Sequence, residues 1–434
     1  MKLKINYNYI YIFLLISFLF LWDVNFLILE NLKYGNLFDK FYISLRHLII
    51  FLLIPIFFFI KKNNLYFSIF KIFNQQRYIV FFFLFILFHY SFSNILYSQT
   101  TQFNEFLSLA FFIFLALIYS HFRDFLLNNF DKILLIYLFI FIFFSVFLEY
   151  KIPNVGACNN NFYLTNFFQE KLKLNLSKSF YLENSHIGMM MPAVFFSAIL
   201  IINKSRNYFF IFLCLLSIVI AWINSSTTFF ISVIISQAFL FFFFYKKIQD
   251  KFWIFSLIFF LVNFFIFFSN ANCTRKITDI NLKNVSEQKI SNEGGSNKLT
   301  SIIYERSIII SLNTLYEHPI GWGYDGMYKA TDYFLKKTEH ENVYHLVKLL
   351  NLKDGLGNFF KLVNEFGLFS FFIFLFFIKY LFKIKEIHPY NLFIIVLFIT
   401  QCLRGAGYLN GGFAFCLFEI FYINNIFGQK SLIK

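Results

Sequence analysis

The sequence predicts an all-α, polytopic membrane protein of about twelve transmembrane helices with two large periplasmic loops, the second carrying an amphipathic helix. Three observations predict it. Only 14% of the 434 residues are charged and 59% are apolar, against about 25% charged in soluble proteins. Apolar runs near the length a span needs, about 20 residues, recur along the chain. Two polar stretches, 149–185 and 270–358, interrupt those runs, and irregular backbone of that length must leave the hydrocarbon or line a cavity. The 74 phenylalanines, beside abundant Ile, Asn and Lys, read as the codon bias of an AT-rich genome rather than as an aromatic ligand box.

Taken in order, spans are expected near 9–29, 43–60, 78–97, 103–120, 132–148, 186–202, 208–223, 226–245, 252–269, 366–382, 390–408 and 411–427. The first follows Lys2 and Lys4 with no small-residue cleavage pattern behind it, so it reads as a retained span. The chain divides into N-terminal spans (1–148), a first periplasmic loop (149–185), a central block (186–269), the large loop (270–358) and C-terminal spans (359–434).

Orientation follows from the short connections. Lys61, Lys62, Lys71 and Arg77, then Arg123 and Lys132, Lys204 and Arg206, Lys246, Lys247 and Lys251, and Lys379, Lys383 and Lys385 fall in one alternate set, together with both termini. The connections near 98–102, 224–225 and 409–411 carry no Lys or Arg. The positive-inside rule then places both termini in the cytoplasm and both large loops outside. The formal charge of +15 is spread over these connections rather than gathered on one soluble face, which argues against nucleic acid as a partner. Membrane lipids and lipid-linked molecules are the expected partners.

Within the large loop, Ile308, Leu312 and Leu315 recur at helical spacing with Ile309 and Tyr316, while Arg306, Asn313 and Glu317 share the other side. The pattern predicts an amphipathic helix over 301–318 lying on the outer membrane surface and ended by Pro319, which disfavours helical geometry in the residue before it. The segment 281–300, with SNEGGSNK inside it, reads as a loop. Five cysteines show no metal-ligand spacing, and no metal or cofactor is expected. Cys158 and Cys273 both lie in polar stretches, where a disulfide and two free thiols are equally open readings.

Three clusters stand out. FYLENSHIGMMMP (180–192) places Glu183 and His186 three residues apart at a span entrance. That is the pairing of a general base and its orienter, or the capped start of a helix. YEHPIGWGYDGM (316–327) places Gly321, Gly323 and Gly326 around a turn flanked by His318 and Asp325. It reads as a site where backbone amides approach a phosphate or sugar, or as a plain helix stop. QCLRGAGYLNGG (401–412) puts Arg404 late in an apolar span, where an arginine costs about 2.5–3.5 kcal/mol at mid-helix and is functional by default. Snorkelling to the headgroups is the alternative.

In this order, Glu183-x-Ser185-His186, Pro-Ile-Gly-Trp-Gly (319–323) and GNFFKLVNEFGLFSFFIF (357–374) resemble the O-antigen polymerase and ligase superfamily. Arg-Gly-x-Gly-Tyr (404–408) looks like its polymerase branch, and Gly357-Asn358 stands where a ligase has His-Asn. The resemblance implies metal-independent, inverting glycosyl transfer at the periplasmic face from a polyprenyl-diphosphate-linked oligosaccharide, with the growing glycan passed to a new lipid-linked repeat. It implies Glu183 as first and His186 as second choice of base, and Arg404 and Arg306 as cations for the leaving diphosphate. His318, Gly321, Gly323, Asp325 and Tyr408 would contact substrate. A chain-length regulator is a partner such a polymerase can have. The competing readings are an O-antigen ligase and, in a different class, a lipid-linked oligosaccharide flippase. The absence of internal repeats and paired broken spans in the sequence argues against the flippase.

Overall fold

The computed structural model describes residues 77–97, 103–147, 184–204, 207–224, 226–269, 299–337, 356–405, 407–408 and 412–424. The spans expected at 9–29 and 43–60, Glu183, Cys158, Cys273 and the 281–298 segment lie outside them. Every regular element among the described residues is helical: α1 Arg77–Leu96, α2 Phe103–Phe147, α3 Asn184–Lys204, α4 Tyr208–Ile223, α5 Thr227–Phe244, α6 Asp250–Ser269, α7 Leu299–Glu317, α8 Met327–Lys337, α9 Asn358–Phe366, α10 Ser370–Lys383, α11 Pro389–Leu403 and α12 Phe413–Asn424. A 3-10 turn, Gly367–Phe369, joins α9 to α10. Six helical stretches here are long and apolar enough to cross a membrane, on α1, α2, α3, α5, α6 and the α9–α10 unit.

The bundle is built around α3. Ile187, Met189, Met190, Met191, Val194, Phe195 and Phe196 are all buried, so the helix has no outward face, as expected of a central apolar helix. It runs antiparallel to α11. Thr400 Oγ1 donates to the Met189 carbonyl at 2.7 Å, and Gln401 Nε2 meets Met190 Sδ at 3.8 Å. A Cβ on Gly188 would lie 2.5 Å from the Phe229 backbone nitrogen, so the missing side chain lets α5 come close. Between lipid-embedded helices such close packing, rather than transfer from water, holds the elements together. The periphery is the reverse. On α6, Ile254, Phe255, Leu257, Ile258, Leu261 and Phe265 are exposed, an apolar patch that a soluble surface would not carry and that lipid would cover.

The two spans expected at 103–120 and 132–148 form one helix, α2, of 45 residues. Its contacts show that the axis folds back. Ser108 and Phe112 reach Tyr324, beyond the C-terminal end of α11. Tyr119 and Phe130 both meet Tyr390 at the N-terminal end of α11. Tyr137 then returns to Met191, next to Met190, which meets Gln401 near the C-terminal end of α11. A straight helix would carry Tyr137 about 27 Å beyond Tyr119. The change of direction falls between Tyr119 and Tyr137, where the sequence has neither Pro nor Gly to stop helical hydrogen bonding.

One end of the bundle collects the basic connections. Lys247 Nζ donates to the Ile384 carbonyl at 2.8 Å, Asn203 bonds Gln249, and the α2 turn sits beside Tyr390. The opposite end holds the N-termini of α3 and α12 and the C-terminus of α11, with α7, α8 and α9 packed over them.

The helix expected over 301–318 is present as α7, with its polar side packed against protein. The side with Arg306 (0% exposed) and Asn313 is buried, while apolar Leu312 and Tyr316 are 54% and 87% exposed. The periodicity separated Leu312 and Tyr316 from Arg306 and Asn313, but it did not foresee that the polar side would find protein partners. Thr314 Oγ1 donates to Asn364 Oδ1, and Asn364 Nδ2 donates to Ser311 Oγ. The helix is thus part of the packed structure, with Leu312 and Tyr316 left on its outer side.

Candidate functional site

The four sequence motifs at 183–186, 319–323, 357–374 and 404–408, described for the first from Asn184 on, meet at the end of the bundle away from the basic connections. His186 lies in the first turn of α3 and is buried. One turn on, Met189 and Met190 contact Thr400 and Gln401 at the end of α11. Asn358 Nδ2, at the start of α9, donates to Gln401 Oε1 at 3.3 Å, and the Gly407 amide donates to Asn358 Oδ1 at 3.1 Å. The carbonyls that end α9 receive the Pro-Ile-Gly-Trp-Gly turn. The amides of Trp322 and Gly323 donate to Asn364 O and Glu365 O, both at 2.9 Å, and the Leu368 amide donates to Pro319 O at 2.8 Å.

That docking explains the glycines and corrects their expected role. Gly321 and Gly323 both have φ near +90°, a conformation open to glycine without strain. A Cβ on Gly321 would stand 2.4 Å from the Glu365 carbonyl oxygen. The turn caps the last carbonyls of a helix, so the Trp322 and Gly323 amides are committed to α9, while the Gly321 and Gly326 amides bond His318 O and Gly323 O. His89 Nε2 pins the same turn through Ile320 O at 2.7 Å. His318, expected to touch substrate, sits in an aromatic cluster with Tyr97, Trp322 and Tyr333, ring centroids 4.5, 4.1 and 5.2 Å away.

Arg404 is not inside a span. Helix α11 ends at Leu403, and Arg404 is its C-cap in an extended conformation (φ −143°). Its Nη1 donates to the Leu356 carbonyl at 3.4 Å, and it remains partly exposed. Tyr304, whose hydroxyl donates to Leu403 O at 3.0 Å, feels it: burial pushes that phenol up and the Arg404 charge opposes the shift. Arg306 does not join Arg404. It lies two residues, about 200° of helix, round from Tyr304 and leaves α7 on the other side. Burial pushes its guanidinium down to about 10, which still leaves it charged near neutrality.

The densest chemistry joins the expected Asp325 and Tyr408 to Lys361 and Glu365, two residues the sequence reading passed over. Lys361 Nζ lies 2.8 Å from Asp325 Oδ1 and 2.7 Å from Glu365 Oε1. The Tyr408 hydroxyl donates to Glu365 Oε2 at 2.6 Å. Lys361 also stands 5.1 Å over the Tyr408 ring, which stacks on Tyr324, a cation–π arrangement. Burial and the neighbouring Asp325 carboxylate hold the Tyr324 phenol well above its usual range. Lys361 and Glu365 are almost fully buried, whereas the Asp325 side chain is 31% exposed. Asp325 adopts φ +59°, a region Asp and Asn enter more readily than other non-glycine residues. The available signal was Lys361 and Glu365 four apart at the mouth of an apolar run, where ionisable residues mark function.

Thus Asp325, Tyr408, Gly321 and Gly323 gather round α9, Arg404 lies at its first turn, and His186 lies beyond Gln401. Arg306 faces elsewhere. Among the described residues no group of three His, Cys, Asp or Glu side chains is placed to hold a metal ion. No family model, curated protein or solved structure matches this chain.

Proposed function

We propose that this chain is a polysaccharide polymerase of the O-antigen type. In this reading it has twelve spans and cytoplasmic termini, and it joins polyprenyl-diphosphate-linked repeats by inverting transfer at the outer face of the cytoplasmic membrane. The observation carrying the reading is that four motifs, spread from residue 186 to 408, meet at one end of the bundle. Basic connections gather at the other end, which under the positive-inside rule faces the cytoplasm. Arg404 is partly exposed beside an irregular backbone stretch, and its planar fork suits paired phosphate oxygens. It would meet the charge that develops as the lipid diphosphate leaves.

A strain lacking the chain is then expected to carry single repeats on its surface lipid, and the wild-type gene to restore long chains. Arg404→Ala, present in the membrane at normal amount, is expected to lower long-chain yield by about 100-fold or more. Glycan electrophoresis of the complemented strains measures this. Long chains from Arg404→Ala would remove the cation from the mechanism. A deletion strain with no surface glycan would favour a ligase or flippase, and lipid-linked repeats trapped facing inward would specify the flippase.

A further inference from the structure

We infer that Asp325 is the general base of the transfer, with Lys361 and Glu365 as its positioning residues. This rests on the polymerase reading and gives Asp325 the role that the sequence assigns to Glu183. The argument is charge balance in a buried place. Asp325, Lys361 and Glu365 form a carboxylate–ammonium–carboxylate row with contacts of 2.8 and 2.7 Å. If all three are ionised, the row carries one negative charge in excess. A proton delivered to Asp325 leaves Lys361 and Glu365 as a matched pair, so no buried charge is stranded. Protonating Glu365, which burial favours, would balance the row equally well, but Glu365 is closed to a substrate hydroxyl and its other oxygen already accepts from Tyr408. Asp325 alone in the row has a substantially exposed side chain, so it is the member a substrate hydroxyl can reach.

Placement agrees with the role. Asp325 is held by Lys361, one turn along α9 from Asn358. The peptide just before that turn, at Leu356, holds Arg404, so base and cation address neighbouring turns of one short helix. In the step, the acceptor hydroxyl passes its proton to Asp325 as its oxygen bonds the anomeric carbon. The bond from that carbon to the diphosphate oxygen breaks, and its electron pair leaves with the polyprenyl diphosphate beside Arg404. Asp325 then releases the proton to water.

The test uses the deletion strain complemented with Asp325→Asn, Asp325→Glu or Arg404→Ala, scoring glycan length and the amount of protein in the membrane. Asparagine tolerates the left-handed conformation as aspartate does, so Asp325→Asn removes the base without straining the turn. The expected result is normal protein amount with long chains reduced about 100-fold or more, and partial recovery in Asp325→Glu. Full-length chains from Asp325→Asn while Arg404→Ala stays defective overturn the inference and leave the polymerase reading standing. A loss that tracks loss of protein, with glutamate no better than asparagine, also overturns it, in favour of a purely structural tie. Normal chains in the deletion strain itself would sink the polymerase reading.

Discussion

Glu419→Ala is expected to destabilise the protein by about 3–5 kcal/mol, the cost of leaving one member of a buried ion pair alone. Glu419 is fully buried on α12 and receives Arg123 Nε and Nη2 as a fork, both at 2.7 Å. Tyr119 also donates to it and bonds Tyr390, while the Arg123 guanidinium lies 4.2 Å over the Tyr422 ring. These contacts fasten the turn of α2 to α11 and α12. With Glu419 gone, the Arg123 charge keeps only the exposed Asp124 carboxylate at 3.6 Å, at the head of a segment long and apolar enough to span the membrane, where poorly compensated charge is costly. The double variant Arg123→Met with Glu419→Leu is expected to recover most of the loss, because apolar side chains of similar volume replace buried pairs at little cost. The fraction of detergent-extracted protein surviving a heating series compares the three. A single variant as heat-resistant as wild type would show that the pair contributes no net stability.

Gly367→Ala should be nearly as damaging, at about 2–5 kcal/mol from a clash and a left-handed backbone together. Its Cβ would stand 2.1 Å from Pro319 O and 2.7 Å from the Gly321 nitrogen, at φ +55°. Both neighbours are backbone, so no side chain can swing aside. Relief requires the 319–323 turn to lift from α9, breaking the Leu368 bond to Pro319 O and loosening Trp322 and Gly323. The loss should appear twice, in heat resistance and in long-chain glycan, since Asp325 follows that turn directly. Leu368→Ala, one residue on at a 54% exposed position, is the control and should change little. Equal heat resistance of the two variants would show that the docking is slack.

The helices were legible because apolar length alone marks them. The expected 208–223 is α4 to the residue, and 226–245 and 252–269 differ from α5 and α6 by at most two residues at either end. What failed was surroundings. Arg123 reads as a connection cation in sequence, yet its partner Glu419 lies 296 residues on, a distance no local pattern spans. The stripe of Ile308, Leu312 and Tyr316 told which residues share a side of α7, but a period cannot say which side meets protein. The turn 319–323 was found by its glycines, but the carbonyls it caps belong to α9, more than 40 residues later, beyond the reach of a local reading. Lys361 and Glu365 were visible as a charged pair at the head of an apolar run and needed only the rule that such residues rarely stand idle.

The polymerase account is tested most directly by turnover. Membranes of the deletion strain, stocked with their own lipid-linked single repeats, would receive the purified chain. Release of polyprenyl diphosphate in step with lengthening glycan, and loss of both with Arg404→Ala, is the predicted result. Repeats that stay single while the wild-type chain is intact and membrane-embedded would contradict it.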